Sequence, residues 1–200
     1  MVKLETNVKV RIVGITEDNF DQIPRPANRS FNCQECFYWM EKRDGRRNLV
    51  KQKKNWFTKR VGKYNGPLGK LLYLDNQKTP SGFIQFGPIS EFGTTRLIYE
   101  NHLPMPRGGW CVSCVAIQSK YRGNGLATRL VRNVLRDIKN RGVKIVDAYP
   151  ARKTHSWNQV SHGPVNLWER CGFSEVIELE APEKGKLLCG SGMVIMRKQW

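Results

Sequence analysis

Cys111-Val112-Ser113-Cys114-Val115-Ala116-Ile117 runs through Gln118-Ser119-Lys120-Tyr121 into Arg122-Gly123-Asn124-Gly125-Leu126-Ala127. The apolar run, opening at Trp110, reads as the strongest strand of the chain. Beyond the glycines, Leu126, Leu130, Val131, Val134, Leu135 and Ile138 recur at the spacing of one helix face. The stretch is therefore a strand, a short turn and an amphipathic helix. A helix N-terminus leaves backbone N–H groups unpaired and carries partial positive charge. Gly123 and Gly125 let phosphate oxygens come close to that backbone. The turn is expected to hold an anion, and it suits a pyrophosphate. The chain has no Gly-x-x-x-x-Gly-Lys-Ser/Thr loop, and Thr128 stands where a dinucleotide fingerprint would carry its third glycine.

Working outward, Val8, Val10 and Ile12 alternate with Lys9 and Arg11 as a first strand, and Thr16 to Asn19 is a capping sequence for a short helix. Pro24, Pro26 and Asn28 mark a loop. Ser30 to about Tyr64 reads as helical with a break near Gly45. Leu71 to Leu74 and Phe83 to Phe86 form a strand–turn–strand pair. Pro88 to Gly109, with Pro104, Pro106 and paired glycines, reads as mostly loop. Val143 to Tyr149 is a short strand, and Pro164 to Cys171 a helix stopped by Gly172. Phe173 to Leu179 and Leu187 to Met196 close the chain as strands. The order predicts an α/β fold: a mixed, mostly antiparallel sheet flanked by helices, in one domain over 1–200, with a helical insertion at about 25–65.

The chain of 200 residues carries 34 Lys and Arg against 17 Asp and Glu, a net charge of +17. That excess calls for anionic partners. Ten basic residues against two acids fall between Glu41 and Tyr64, and the same numbers between Ser119 and Lys153. The second group puts Arg129, Arg132, Arg136 and Lys139 on the polar side of the long helix. An acidic protein or an RNA-associated target fits this charge; a solvated basic face explains it equally well. No apolar run is long enough to cross a membrane, and the first ten residues lack the apolar core of an export signal, so a cytoplasmic location with reduced thiols is expected. Cys33-x-x-Cys36 and Cys111-x-x-Cys114 are far apart, neither carries the Gly or Pro of a zinc knuckle, and the second lies inside an apolar run, so a zinc site is not favoured. Buried free thiols, and no metal, are expected.

Arg122-x-x-Gly125-x-Ala127, between an apolar strand and an amphipathic helix, resembles the acetyl-CoA signature of the GNAT N-acetyltransferase superfamily. Leu167-Trp168-Glu169-Arg170-Cys171-Gly172-Phe173 resembles that family's Leu-Tyr-x-x-x-Gly-Phe segment at the family's spacing. The resemblance covers about Leu71 to Leu179, and Val8 to Asp18 loosely. It implies acetyl-CoA as cosubstrate and direct acetyl transfer to a primary amine of an acceptor. It implies that Val115 and Ile117 offer backbone groups to the pantetheine arm, that the amides of Arg122, Gly123, Asn124, Gly125, Leu126 and Ala127 hold the pyrophosphate, and that residues 25–65 wall the acceptor. Two departures stand out. Trp168 occupies the position of the family's usual tyrosine acid, and indole N–H is no useful proton source. Cys111 occupies the position where histone-type members carry a glutamate base. Tyr149 at the end of the next strand is the first substitute acid, and His162 a candidate base; His155 and Asp147 are weaker candidates. Without those side chains a non-catalytic module of the same fold, binding CoA or nucleic acid, is the alternative.

Overall fold

The computed structural model describes residues 2–4, 8–24, 33–40, 48–75, 77–152, 162–179 and 192–200. It contains the strands β1 (Val10–Gly14), β2 (Gly69–Leu74), β3 (Gly82–Pro88), β4 (Trp110–Ile117), β5 (Ile145–Ala148), β6 (Ser174–Leu179) and β7 (Met193–Gln199). They form one sheet in the order β1-β2-β3-β4-β5-β7-β6. Every neighbouring pair is antiparallel except β4 and β5. The helices are α1 (Leu49–Lys59), α2 (Gly93–His102), α3 (Leu126–Asn140) and α4 (Val165–Glu169). The mixed, mostly antiparallel sheet flanked by helices is the architecture read from the sequence.

α3 forms where the 3.6-residue period places it. Leu126, Leu130, Val131, Val134, Leu135 and Ile138 are all buried. Each such side chain contributes about 1.5–3 kcal/mol of burial free energy, so the helix is fixed by its apolar stripe. Gly172, at φ +82°, ends the α4 region as expected.

Three sequence readings are corrected. Pro88 to Gly109 is not mostly loop: a 3-10 turn at Ile89–Glu91 leads into α2. Gly93-Thr94-Thr95 is a poor helix start, and α2 is held by tertiary burial of Ile98 and Tyr99 and by the Thr95 hydroxyl, which donates to the carbonyls of Ile89 and Phe92. Helix does not run from Ser30: residues 33–40 are turns and bends, and α1 starts at Leu49. Residues 30–32 and 41–47 lie outside the described residues. Thr16 to Asn19 opens only a 3-10 turn at Phe20–Gln22, because the Asn19 side chain binds back to the Thr16 amide and the Gly14 carbonyl.

The sheet is split at its centre. β4 pairs with β5 only from Trp110 to Val112, ending at Ala148. From Ser113 to Ile117, β4 has no partner on that side among the described residues. On its other side, Gln85 pairs with Cys114 and Phe86 with Val112, so Ser113 is the extra residue of a β-bulge.

Candidate active site

The open edge of β4 presents a definite set of backbone groups. The Gln118 amide donates to the Ser81 carbonyl at 2.9 Å. Antiparallel strands bond at alternate residues, so Ala116 and Cys114 share that phase and face β3. Val115 and Ile117 point their N–H and C=O into the gap between β4 and β5. The Ile117 carbonyl there accepts from Arg122 Nε at 3.1 Å. Burial lowers the Arg122 pKa, and this bond folds its side chain back beneath the turn.

The turn itself is built by two left-handed glycines, Gly123 at φ +78° and Gly125 at φ +71°. Gly125 is the N-cap of α3, and no side chain caps that end. The Gly125 carbonyl accepts the first helical bond, from Arg129, so the amides of Leu126, Ala127 and Thr128 have no carbonyl within the helix. A Cβ placed on Gly125 would meet nothing within 4 Å. The position beside Gly125 is thus open.

Asn124 does something the sequence did not announce. Its side-chain oxygen accepts from the Leu4 amide at 2.9 Å. Its Nδ2 lies 3.0 Å from the Val2 carbonyl and 3.1 Å from those of Tyr121 and Arg122. The Val2 amide donates to Lys120. Residues 2–4 are thus latched onto the turn by the Asn124 side chain and by the Val2–Lys120 backbone bond; Leu4 and Asn124 lie 120 residues apart in sequence.

Both residues singled out for proton transfer lie at the point where the strands part. Tyr149 follows Ala148, the last residue of β5 paired to β4, and is 1 % exposed. The Trp39 ring stacks on it at 5.2 Å and meets His162 edge-on at 4.9 Å, so Trp39 joins the two. Its buried indole N–H has no acceptor among the described residues. The segment carrying Trp39 is pinned to α2: Thr94 donates its amide to the Trp39 carbonyl and its hydroxyl to the Tyr38 carbonyl. His162 Nδ1 lies 3.3 Å from the carbonyl of the bulge residue Ser113. His155 is outside the described residues. Trp168 is 1 % exposed and donates its N–H to the His162 carbonyl at 2.8 Å. It holds the loop carrying His162.

Tyr149 belongs to a buried polar chain. Asp147, with no exposed surface, takes two hydrogen bonds of 2.8 Å from Arg197 and one from the Tyr99 hydroxyl. The Tyr99 and Tyr149 hydroxyls are 3.4 Å apart. Tyr99 has one proton and gives it to a carboxylate, so Tyr149 is the donor of that pair. Burial first, then the surrounding Cys111, Tyr99 and Asp147, pushes the Tyr149 pKa well above its ordinary value. Burial, with Asp147 adding to it, does the same to the Cys111 thiol, which rules Cys111 out as a ready nucleophile. Tyr99 and Arg197 were missed by sequence reading.

Burial lowers His162 to about 4, with the Ser113 carbonyl opposing the shift. The imidazole is therefore neutral at pH 7. Between pH 6.5 and 4 the unfolded chain binds a proton here that the folded chain refuses, so stability is lost as pH falls through that window. The wild type is expected to lose about 3 kcal/mol more than His162→Asn between pH 7 and pH 4, by urea unfolding at both. Equal losses would remove His162 as the source.

Lys53 is one of the ten basic residues between Glu41 and Tyr64, in the region expected to wall the acceptor. It is instead 2 % exposed, with Nζ donating to the carbonyls of Cys33 and Cys36 at 2.6 and 2.8 Å. Burial lowers its pKa, and the nearby Cys36, Cys114 and Cys33 thiols oppose that. A lysine thus stands among members of both Cys-x-x-Cys pairs. Among the described residues no group of three His, Cys, Asp or Glu is placed to hold a metal, and no helix is long and apolar enough to cross a membrane.

No curated protein matches the chain in sequence. Solved structures match its fold over nearly full length. A NatC complex bound to Gag peptide and CoA is 12 % identical, with a TM-score of 0.60 over 96 % of this chain and 99 % of that one. An N-acetyltransferase from Staphylococcus aureus is 14 % identical, with a TM-score of 0.61 over 96 % and 98 %. A ribosomal-protein-alanine N-acetyltransferase from Brucella melitensis is 16 % identical, with a TM-score of 0.58 over 95 % and 99 %. The profile of the acetyltransferase (GNAT) family matches residues 28–173. A split sheet, an uncapped glycine turn at its open edge and a match over most of the chain place this protein in the GNAT acetyltransferase family.

Proposed function

We propose that the chain is an acetyl-CoA-dependent N-acetyltransferase that acetylates a primary amine by direct transfer. The observation that carries this is the gap between β4 and β5, edged by the backbone of Val115 and Ile117 and leading to the uncapped amides at Gly125. Bound acetyl-CoA would supply the activated acyl group. The chain's own work is to hold both reactants, polarise a carbonyl and move protons.

In this reading Val115 and Ile117 bind the pantetheine arm as an added strand would, and the Arg122–Ala127 turn takes the pyrophosphate. Tyr149 is the proton carrier. Its O–H, which donates to Tyr99 at rest, turns to give its proton to the departing thiolate while the same oxygen takes the proton released by the attacking amine, so the hydroxyl is protonated before and after the transfer. His162, as a base near pH 4, is weak. It serves best by fixing the Ser113 bulge that faces the reaction. The Trp39 indole N–H is left to donate to the acceptor.

The test is turnover of acetyl-CoA with a panel of amines and peptides, wild type against Tyr149→Phe. The variant should bind CoA normally and lose about 10²–10⁴ in kcat, the range of general acid–base contributions. A Tyr149→Phe variant that binds CoA and keeps the wild-type kcat would strip Tyr149 of the role. Asn124→Ala should act differently. It loosens the latched segment and the turn, so KM for acetyl-CoA should rise about tenfold, worth one or two hydrogen bonds, with kcat within about twofold. A fall in kcat at constant KM would show that the latch does not support the turn.

A further inference from the structure

The basic face of α3 is more than a solvated helix. Arg132, Arg136 and Lys139 are all exposed, and their three- and four-residue spacing puts them on one side over about 10 Å. None of them makes an ion pair among the described residues. The acid of that helix, Asp137, is turned away and bound by Lys70 and Arg141. The row continues onto the neighbouring elements. Arg132 donates to the Arg170 carbonyl at 3.0 Å, and Arg132, Arg170 and Lys198 gather around Cys171. Lys198 lies on β7, and two residues later the chain presents Trp200. The Trp200 ring is half-buried, with the ammonium of Lys139 at 6.0 Å on the α3 side and that of Lys198 at 5.8 Å. Both ammonium groups lie over the ring at the outer limit of cation–π contact, and the indole packs in part against the core.

From this arrangement we infer that the ridge formed by α3 and β7 is a binding surface for single-stranded RNA. Phosphates lie along Arg132, Arg136, Lys139 and Lys198, and one base stacks on Trp200. An acidic polypeptide would satisfy the charges but has no use for a flat aromatic ring between two lysines, whereas an unpaired base does. The ridge does not include Gly125 or the amides of the anion turn, so this inference does not depend on the acetyl-transfer reading.

The experiment is fluorescence anisotropy of a labelled oligouridine of about 12 nucleotides, titrated with the full chain between about 50 and 200 mM KCl. Four phosphate contacts to a single strand predict a slope of log affinity against log salt near −3, a weakening of about 50-fold across that range. Arg132→Glu/Arg136→Glu/Lys139→Glu should bring the slope to −1 or flatter and abolish most binding. Trp200→Leu should cost about tenfold at an unchanged slope, the loss of one stacked base. The far-ultraviolet circular dichroism and thermal melt of each variant, without ligand, report that it is folded. Absence of binding at low salt overturns the inference. So does a polyglutamate peptide that binds as tightly as RNA and is indifferent to Trp200→Leu; that outcome would assign the ridge to an acidic protein.

Discussion

The Gly125→Asp variant will lose its CoA-induced thermal shift while melting on its own close to wild type. Gly125 sits at φ +71°, a conformation that costs most side chains about 1–2 kcal/mol but that Asp visits more readily. An Asp at the N-cap of α3 also gains from the helix dipole and can cap amides. Those two effects nearly offset each other in the unliganded protein. Toward a ligand they act together. The Asp side chain enters the open position beside Gly125, where a Cβ meets nothing, and puts a negative charge where a phosphate must lie. One lost charge-assisted hydrogen bond costs about 1.5–3 kcal/mol, and exclusion plus repulsion add to it, so affinity should fall by more than about 100-fold. Wild type at a hundredfold excess of CoA over Kd should gain about 2.7 kcal/mol. A wild-type melt indifferent to millimolar CoA would overturn the turn's assignment.

Arg197→Met is expected to cost about 3–5 kcal/mol of stability, a large part of the 5–15 kcal/mol typical of a domain. Asp147 is fully buried, and both of its oxygens rest on Arg197. Removing the guanidinium leaves a buried carboxylate whose one remaining hydrogen-bond partner among the described residues is the Tyr99 hydroxyl. The burden falls on the charge left behind and not on the lost attraction, which the double variant shows. Arg197→Met/Asp147→Leu should recover most of the stability, because an apolar pair of similar volume pays no desolvation. Urea unfolding of the three proteins measures this. The double variant should still be slow in turnover if Tyr149 needs Tyr99 and Asp147 behind it, which separates stability from chemistry. A double variant no more stable than Arg197→Met would contradict the account.

The parts legible without coordinates are those whose information is local. The apolar run of β4, the two glycines and the 3.6-residue stripe of α3 lie within thirty consecutive positions, and periodicity with backbone freedom at Gly123 and Gly125 is enough to build strand, turn and helix there. Net charge belongs in the same class, since it is a sum over residues. α2 was hidden because its helix start is weak and two prolines follow it; burial of Ile98 and Tyr99 overrides that local preference. Lys53 was misread because a lysine is nearly always exposed, and only the carbonyls of Cys33 and Cys36 make its burial tolerable. The grouping at the gap belongs to tertiary structure alone. Trp39 reaches Tyr149 and His162 across more than a hundred positions, and Arg197 reaches Asp147 across 50, as the sheet brings β4, β5 and β7 side by side. No periodicity encodes such a meeting, because contact between distant side chains depends on which strands pair and in what register, and a side chain's chemistry depends on what then surrounds it.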